Sequence, residues 1–506
     1  MVKYGLVANR GMALYYHEKA LHIIPKTKFY IIKAHSCIQF CILHYNSAFI
    51  AKGGSMNVII VGCGQVGQTL ADQLIKTGNN VTVIDTVFEN VKALTDKVDA
   101  LGIVGNGASH TTLTEAGVEN ADLLIAVTNS DELNLLCCIV ARKSSECKVI
   151  ARVRSPEYNA EVNFLKNEIG LAMVINPEYV AAEEIARVMR FPSAIGIESF
   201  SKGLVELIKF RLPEESPIIG MSVKDVMMKY KCNVLFATIE RNDKAHIAKG
   251  DFVFEARDIV SIIASPEDSQ ELFKNLGYKT SSAKSAIVVG SGDITHYLCA
   301  LLQKSKVNLK VIEENRDECE RLCEAFPYVT VVNSDVSNKE ILSEEGLGRV
   351  GALLAISESD EENILLSLYA QSKTKAKIVT KIKRMDYGDV MKKLDLDTVI
   401  CPETIVSDMI LRYTRSLKGT NGSNMEALYN ICKGQAEASE FIVRRESAIV
   451  GVPISQLKFR KNVLIAAIVR NGEVIIPRGY DMICVGDAVV IVSKITGLHD
   501  ITDILE

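Results

Sequence analysis

The sequence lacks the features of nucleic-acid-binding and membrane-spanning proteins. Over 506 residues, 58 Lys and Arg are set against 62 Asp and Glu, so the net charge of −4 provides no overall basic field for DNA or RNA. No uncharged apolar run approaches the roughly 18–20 residues that cross a bilayer. Proline is scarce, at 11 residues, while hydrophobic residues make up 48%. We therefore expect a soluble globular chain with no nucleic-acid partner, and any membrane role must be peripheral.

Metal-site spacings and catalytic dyads are also missing. The 13 cysteines include no C-x-x-C pair, and their scatter among apolar stretches fits a reducing cytoplasm. The histidines after Met56 are His110, His246, His296 and His499, and none of them forms a recognisable dyad. A dehydrogenase needs an acid–base residue beside its substrate. We therefore predict no metal site and no catalytic residues.

The first 55 residues differ from the rest of the chain. They contain seven Lys or Arg against one acid, and four of the eight His. Lys52-Gly53-Gly54 can be encoded by AAA-GGA-GGN, which resembles a bacterial ribosome-binding site, and Met56 follows closely. We expect 1–55 to be an atypical extension from a wrongly assigned start, with translation beginning at Met56. The alternative is a genuine basic arm.

From Met56 onward the chain is a tandem repeat. Its length already calls for about three or four packed units, and the repeat spacing is near 228–231 residues. Gly62 corresponds to Gly290, and NVLFATIERN from Asn233 shares seven of ten residues with NVLIAAIVRN from Asn462. The chain is therefore an internal duplication.

Each copy changes character along its length. The first ~135 residues alternate short β-branched runs with helical periodicity, which is typical of βαβ units, and the last ~75 combine short strands with one short helix. We predict an α/β fold with two Rossmann-like domains, each a parallel sheet with helices on both faces, and each followed by a small α+β domain. The expected domains are 56–190, 191–280, 284–415 and 425–506, with linkers near 191–199, 281–284 and 419–423.

The strongest motif lies in VIIVGCGQVGQTLA, where a buried strand leads directly into a glycine loop and then a helix. The expected cofactor contacts in this loop are Gly62, Cys63, Gly64, Gln65, Val66 and Gly67. Gly62 permits the tight turn, Gly64 lets a pyrophosphate approach the backbone, and Gly67 lets helix and sheet pack closely. The helix N-terminus offers free N–H groups to phosphate.

The strand ends that follow supply further candidates. Asp85 ends the second strand and can accept both ribose hydroxyls, which favours NAD over NADP; the alternative is a solvated strand-end carboxylate. Asn106 and Gly107 follow the third strand, and Thr128 and Asn129 precede a helix that Ser130 or Asp131 is expected to cap. Arg152 is expected to contact phosphate or a partner subunit, or to form a plain ion pair.

The second copy has a weaker version of the motif. Thr295 replaces the third glycine, and its side chain is expected to push helix and strand apart, while Asp293 brings negative charge to the phosphate mouth. Glu313 keeps the ribose acceptor. The candidates for a second, weaker nucleotide site are Gly290, Ser291, Gly292, Asp293, Ile294, Glu313, Ser334 and Ser357.

Five features of the chain point to one family: the four-module order, Asp85, and the segments VIIVGCGQVG, GIVGNGASHTTLTEAGVENADLLIAVTNSDELN and VIARVRSPEY. Together they resemble the TrkA family of bacterial Trk potassium uptake systems. The resemblance covers nearly all of Met56 to Glu506. It implies two RCK (KTN) domains that bind NAD(H) or the adenine nucleotides ATP and ADP, and contacts at Gly62 to Val66, Asp85, Asn106, Thr128, Asn129 and Arg152. The family often has aspartate where this chain has Asn106.

The resemblance also implies a non-enzymatic regulatory subunit in the cytoplasm, peripheral on the inner face of the plasma membrane. Its partners would be a Trk-type potassium-translocating membrane subunit and further copies of itself in a ring-like homo-oligomer. Two alternatives remain open on the sequence. One is a regulator of another cation transporter or antiporter, and the other is an NAD-dependent oxidoreductase.

Overall fold

The structure is a computed structural model that describes residues 55–278, 283–305, 307–335, 339–383, 394, 396–418, 423–495 and 497–506. The extension expected at 1–55 lies, apart from Ser55, outside the described residues. Met56–Glu506 form one unit. No helix within the described ranges is both long and apolar enough to cross a membrane.

The first domain is built on a parallel sheet. Its strands are β1 (Asn57–Val61), β2 (Asn80–Asp85), β3 (Leu101–Val104), β4 (Leu123–Ala126), β5 (Lys148–Arg152) and β6 (Met173–Ile175), in the spatial order β3-β2-β1-β4-β5-β6. The intervening helices are α1 (Gln65–Lys76), α2 (Phe88–Thr95), α3 (His110–Glu115), α4 (Asp131–Ser144), α5 (Pro156–Ala160), α6 (Val162–Ile169) and α7 (Pro177–Arg190). Alternate β1 side chains belong to different cores, with Val58 and Ile60 in one and Ile59 and Val61 in the other. Both sheet faces are therefore covered, which explains why β1 is apolar throughout.

The next domain is a smaller antiparallel sheet. It contains β7 (Ala194–Phe200), β8 (Val205–Arg211), β9 (Leu235–Arg241), β10 (Lys244–Ile247) and β11 (Ile259–Ala264), ordered β10-β9-β11-β8-β7, with helices α8 (Val223–Tyr230) and α9 (Pro266–Asn275). The linker predicted at 191–199 is wrong, because β7 pairs with β8 across most of that segment. Pro192 and Gly196 suggest a break, but Gly196 pairs with Lys209 after a register shift that follows Ala194, and the strand buries Ala194, Ile197 and Phe200. The single helix expected here is in fact two.

The third domain repeats the first. Its strands are β12 (Ser285–Val289), β13 (Asn308–Glu313), β14 (Thr330–Asn333), β15 (Ala352–Ala355), β16 (Lys377–Lys381) and β17 (Thr398–Ile400), in the order β14-β13-β12-β15-β16-β17. Its described helices are α10 (Asp293–Leu302), α11 (Arg316–Ala325), α12 (Lys339–Glu344), α13 (Asp360–Lys373) and α14 (Pro402–Lys418). The duplicated Rossmann-like fold predicted from the sequence is confirmed.

The last domain is a second antiparallel sheet. It contains β18 (Ser423–Ile431), β19 (Ala436–Val443), β20 (Val463–Arg470), β21 (Glu473–Ile475) and β22 (Ala488–Ser493), ordered β18-β19-β22-β20-β21. Its described residues carry only short 3-10 turns in place of the expected short helix. The two antiparallel sheets share a core of mostly small side chains, including Ala237, Ala438 and Ala466.

The two Rossmann-like domains exchange helices. Helix α7, which leaves the first domain, packs on α10 of the third, while α14 packs back on α1. Ile185 of α7 therefore lies in the core of the third domain, and Ile410 of α14 lies in the core of the first. Each glycine-loop helix is thus supported by the other half of the chain.

Candidate functional site

The first glycine loop has the backbone that its sequence predicts. Strand β1 ends at Val61 and α1 begins at Gln65, with Gly62 at φ +107°, a conformation that favours glycine. A Cβ on Gly67 would lie 1.9 Å from the Gly62 carbonyl oxygen, so this position excludes any side chain. By contrast, a Cβ on Gly64 would have no neighbour within 4 Å. The space in front of Gly64 is therefore open to a ligand.

The remaining residues of this loop contribute main-chain rather than side-chain groups. Gly64 precedes α1 and no side chain caps that helix, so the first-turn N–H groups of Gln65 and Val66 lack intrahelical acceptors. The Val66 side chain lies in the core. Burial, and then the charge of Asp85, raise the pKa of the Cys63 thiol to about 12. The thiol is therefore inert near neutral pH, and the loop presents a row of amide donors.

Asp85 connects the end of β2 to the glycine loop. Its Oδ2 accepts the Cys63 N–H at 2.8 Å and its Oδ1 accepts the Val87 N–H at 2.9 Å. A solvated strand-end carboxylate would not bridge two segments in this way. Each carboxylate oxygen keeps a further lone pair, so Asp85 can accept hydroxyl groups while it holds the loop.

The loop after β3 is held by its own polar groups. The Asn106 side chain is exposed and its Oδ1 accepts the Ala108 N–H at 2.9 Å, which closes a local turn. Gly107 is buried, and a Cβ there would lie 2.2 Å from Cγ1 of Val61. Close packing on β1 therefore requires glycine at 107, whereas Asn106 is available to a ligand.

The loop after β4 presents Thr128 and Asn129. The Thr128 hydroxyl donates to Oδ1 of the buried Asn134 at 2.7 Å, and Asn129 is exposed. Ser130 caps α4 by accepting the Leu133 N–H at 3.1 Å, as expected. Asp131 accepts the backbone N–H groups of Arg154 and Ser155, so its role is to hold the chain that follows β5.

Arg152 belongs to a buried polar cluster that sequence reasoning only partly found. Its Nη2 lies 3.4 Å from Oε1 of Glu178 at the start of α7, and its side chain is 12% exposed. Arg154, which was not singled out, donates to the Asn129 carbonyl oxygen at 2.7 Å. The segment VIARVRSPE contains a signal for Arg154, because Arg152 and Arg154 are two residues apart and side chains at that spacing in an extended chain lie on the same face.

These groups meet at one edge of the sheet. Strands β2, β1, β4 and β5 are neighbours and parallel, so the glycine loop, Asp85, Thr128 and Asn129 follow their carboxyl ends together, as does Arg152 at the end of β5. The Nε atoms of Arg152 and Arg154 and Oε2 of Glu178 are buried without a hydrogen-bond partner among the described residues. Buried polar atoms of this kind call for a bound group or water. The open space at Gly64, the uncapped α1 and these guanidinium groups fit an anionic, ribose-bearing ligand.

The second copy repeats the loop with substitutions. Gly290 has φ +101°, and Glu313 accepts the N–H groups of Ser291 at 3.0 Å and Asn315 at 2.8 Å, as Asp85 does in the first copy. Thr295 is buried, and its hydroxyl donates to the Gly290 carbonyl oxygen at 2.6 Å. The hydrogen bond explains how a side chain is accommodated where the first copy needs glycine.

The other second-copy candidates are less suited to a ligand. Ile294 lies in the core, and Asp293 is exposed at the first position of α10. Ser334 donates its backbone N–H to the Glu313 carbonyl oxygen, and the Ser357 hydroxyl lies 2.7 Å from Oε2 of Glu362. Burial lowers the pKa of His296, which packs on aromatic rings. In the described part of the chain, no three His, Cys, Asp or Glu side chains are grouped to hold a metal ion.

Comparison with known proteins identifies relatives along the whole described unit. The TrkA-N domain family matches residues 58–177 and 286–402, and the TrkA-C domain family matches 207–277 and 438–506. The Trk system potassium uptake protein TrkA homolog of Archaeoglobus fulgidus is 32% identical over 451 residues, which cover 89% of this chain and 100% of that protein. TrkA homolog 1 of Methanosarcina mazei is 31% identical over 454 residues, 88% of this chain and 99% of its own length.

Solved structures share the fold at low identity. The GsuK channel aligns with a TM-score of 0.58 at 15% identity, covering 87% of this chain and 77% of that chain. The GsuK channel bound to NAD aligns with a TM-score of 0.57 at 15% identity, covering 92% and 83%. The duplicated architecture is thus found in a known channel protein.

Proposed function

This chain belongs to the TrkA family, and from that premise we propose that it is a regulatory subunit that binds NAD(H) or an adenine nucleotide and gates a Trk-type potassium-uptake membrane protein. We place it in the cytoplasm, on the inner face of the membrane, as a ring-like homo-oligomer without enzymatic activity. Two observations support the membrane partner. The relatives are named as Trk system potassium uptake proteins, and the described residues contain no helix able to cross a membrane.

The first glycine-loop site is the observation on which this proposal depends. It combines open space at Gly64, an uncapped helix, the acceptor Asp85, and Nε atoms of Arg152 and Arg154 that make no hydrogen bond among the described residues. The amide row and the two arginines suit a pyrophosphate, and Asp85 suits the ribose hydroxyls. A carboxylate at that position disfavours a 2′-phosphate, so NAD(H) is preferred to NADP(H). The GsuK channel, which has the same fold, has been solved bound to NAD.

Regulation then requires that the nucleotide favours one arrangement of the domains. A ligand shifts a conformational equilibrium only if it binds the two states with different affinity. Arg154 supplies a contact for such a difference, because its carbonyl oxygen accepts the Tyr297 hydroxyl of α10 at 2.6 Å while its guanidinium group faces the first site. If the segment around Arg154 moves on binding, this hydrogen bond transmits the movement to α10 in the other half of the chain.

Calorimetry on the full chain tests the site. We expect Asp85→Ala to weaken NAD(H) binding by at least roughly tenfold, equivalent to about 1.4 kcal/mol, because both the ribose acceptor and the anchor of the glycine loop are lost. Asp122→Ala is the matched control, since Asp122 also accepts a backbone N–H, from Asn57 at 2.7 Å, but at the amino end of β1.

Two further variants sharpen the result. Glu313→Ala should leave the affinity for NADH within about twofold if the first copy is the principal sensor. Equal affinity of Asp85→Ala and the unchanged protein for NAD, NADH and ATP would refute the assigned site. Binding of NADPH as tight as that of NADH would refute the role of Asp85 as a ribose acceptor.

We also propose the domain limits at 56–190, 191–280, 284–415 and 425–506. Each carries one of the four sheets described above. The strand β7 belongs with the second of these domains, because it pairs with β8.

A further inference from the structure

The second glycine loop faces a charged side chain that the first lacks. Glu358 follows Ser357 in the loop after β15, and its Oε1 lies 3.6 Å from the position that a Cβ on Gly292 would occupy. In the first copy the equivalent space, at Gly64, is open to at least 4 Å. The second glycine is where the Rossmann loop lets a pyrophosphate approach the backbone. A carboxylate therefore stands in the phosphate position of the second copy.

Two lysines hold this carboxylate in place. Lys381, at the end of β16, donates to Oε1 of Glu358 at 2.8 Å, and Lys383 pairs with Oε2. The Lys381 side chain is 5% exposed, so its charge needs a partner. Burial alone would raise the pKa of Glu358, but hydrogen bonds from both lysines and their charges outweigh it and lower the pKa to about 2. Glu358 is therefore a permanent anion at physiological pH.

The first copy has different residues at the positions of Glu358 and the two lysines. At the repeat spacing, Asn129 corresponds to Glu358, and Arg152 and Arg154 correspond to Lys381 and Lys383. In the first copy, Arg152 pairs with Glu178 and keeps an Nε without a hydrogen bond, while Arg154 donates to a carbonyl oxygen and its Nε lies 3.9 Å from Oδ1 of Asp131, too far for a hydrogen bond. In the second copy both cations are directed to Glu358. The three differences, one Asn to Glu and two Arg to Lys, thus convert a cradle with spare donors into a closed ion-pair network.

We propose that Glu358 is an internal ligand of the second glycine-loop site, which it closes to nucleotide phosphates by occupying their position and neutralising Lys381 and Lys383. The inference concerns the second copy and goes beyond the nucleotide site proposed for the first. The Glu358 side chain is itself 75% exposed, so the mouth of the site is open to solvent. Removal of this one carboxylate would leave two lysines and the uncapped helix α10 facing that opening, with the exposed Asp293 at the first position of α10 as the remaining negative charge. The chemical class that such a site takes is a di- or triphosphate.

The test is a gain of binding by Glu358→Asn, which installs the residue of the first copy. Titration calorimetry of the full chain with NADH, ATP and inorganic pyrophosphate should show one additional binding event per chain, with affinity for at least one probe raised roughly tenfold or more over the unchanged protein. The added event should disappear in Glu358→Asn/Lys381→Ala. The same probes should raise the Tm of Glu358→Asn, because in this variant the nearly buried Lys381 has lost its partner and a bound phosphate replaces it.

Glu362→Gln is the matched control, because it removes one negative charge from the first turn of α13, next to Ser357, without touching either lysine. Equal gains in Glu362→Gln and Glu358→Asn would overturn the inference, since net charge alone would explain them. No added event in a Glu358→Asn protein that keeps its circular dichroism would overturn it as well. So would a second site already present in the unchanged protein. Failure of the first-site proposal looks different, because the unchanged protein would then bind none of the probes while Glu358→Asn would still gain a site.

Discussion

Half-buried carboxylates form a cluster away from the glycine loops. Glu184 of α7, Glu198 of β7 and Asp408 of α14 line a cavity of about 690 Å³, together with Arg187 and Arg412. Burial, followed by the charges of Glu184 and Asp408, raises the pKa of Glu198 to about 8, although both arginines oppose the shift. Burial also raises the pKa of Asp408, to about 6. Near neutral pH the folded state therefore favours a protonated Glu198, whereas Asp408 is mostly ionised.

The raised pKa of Glu198 predicts a loss of stability with rising pH. Between the unfolded-state pKa of about 4.3 and the folded-state value of about 8, the folded protein binds the proton more tightly than the unfolded chain. The stabilisation is fully present below the lower value and is lost as pH rises through the upper one. We expect Glu198→Gln to flatten this dependence and to increase the free energy of unfolding at pH 8 by about 1–2 kcal/mol.

Urea unfolding at pH 5.5 and pH 8 measures this difference. Glu214→Gln is the control, because the Glu214 side chain is 69% exposed and paired with an exposed arginine. The prediction is wrong if Glu198→Gln and Glu214→Gln change the pH dependence equally.

At the scale of elements, the glycine loop shows what sequence can predict and what it cannot. An apolar strand followed by three spaced glycines predicts β1, the turn and α1, because the backbone conformation at Gly62 and the close packing at Gly67 each require glycine. The local sequence also predicts that Ser130 or Asp131 caps α4, and Ser130 is the cap. It did not place Arg154 or Glu178, since their roles arise where β5 and α7 meet. It predicted a linker at Phe191 to Ser199 because Pro and Gly suggest a break in the chain. The pairing of this segment with β8 is a tertiary contact that the local sequence does not show.

Gly67, the third glycine of the loop, leads to a prediction about stability and nucleotide binding. Because a Cβ on Gly67 would lie 1.9 Å from a backbone oxygen, Gly67→Ala must displace α1 from the loop. We expect it to cost about 1–3 kcal/mol of unfolding free energy and to abolish nucleotide binding at the first site. Thr295→Ala keeps its Cβ and loses the hydrogen bond to the Gly290 carbonyl oxygen together with one buried methyl group, so it should cost about 1–2 kcal/mol.

Chemical denaturation and calorimetry on the two variants compare these positions. A Gly67→Ala protein with unchanged stability and unchanged affinity would show that the loop relaxes freely, contrary to the steric argument.

At the scale of the whole molecule, the exchange of helices makes the two halves interdependent. Val406, Ile410 and Leu411 of α14 complete the core that contains Leu70 and Leu74 of α1. Asn176, at the start of α7, donates to the Tyr297 hydroxyl of α10 at 2.8 Å. A sequence read segment by segment shows α7 and α14 as amphipathic helices, but it does not show which domain each one covers. That choice depends on contacts between residues more than 100 positions apart.

This arrangement predicts an effect at a distance along the chain. Ile410→Ala should cost about 2–5 kcal/mol of unfolding free energy through the cavity it leaves. It should also weaken nucleotide binding at the proposed first site, because α1, which begins at that site, loses its support. Ile185→Ala is the matched control. Ile185 is equally buried but lies in the core of the third domain, so its loss should cost similar stability while NADH affinity at the first site stays within about twofold. Equal weakening of binding in both variants would mean that global stability, and not the support of α1 by α14, determines affinity.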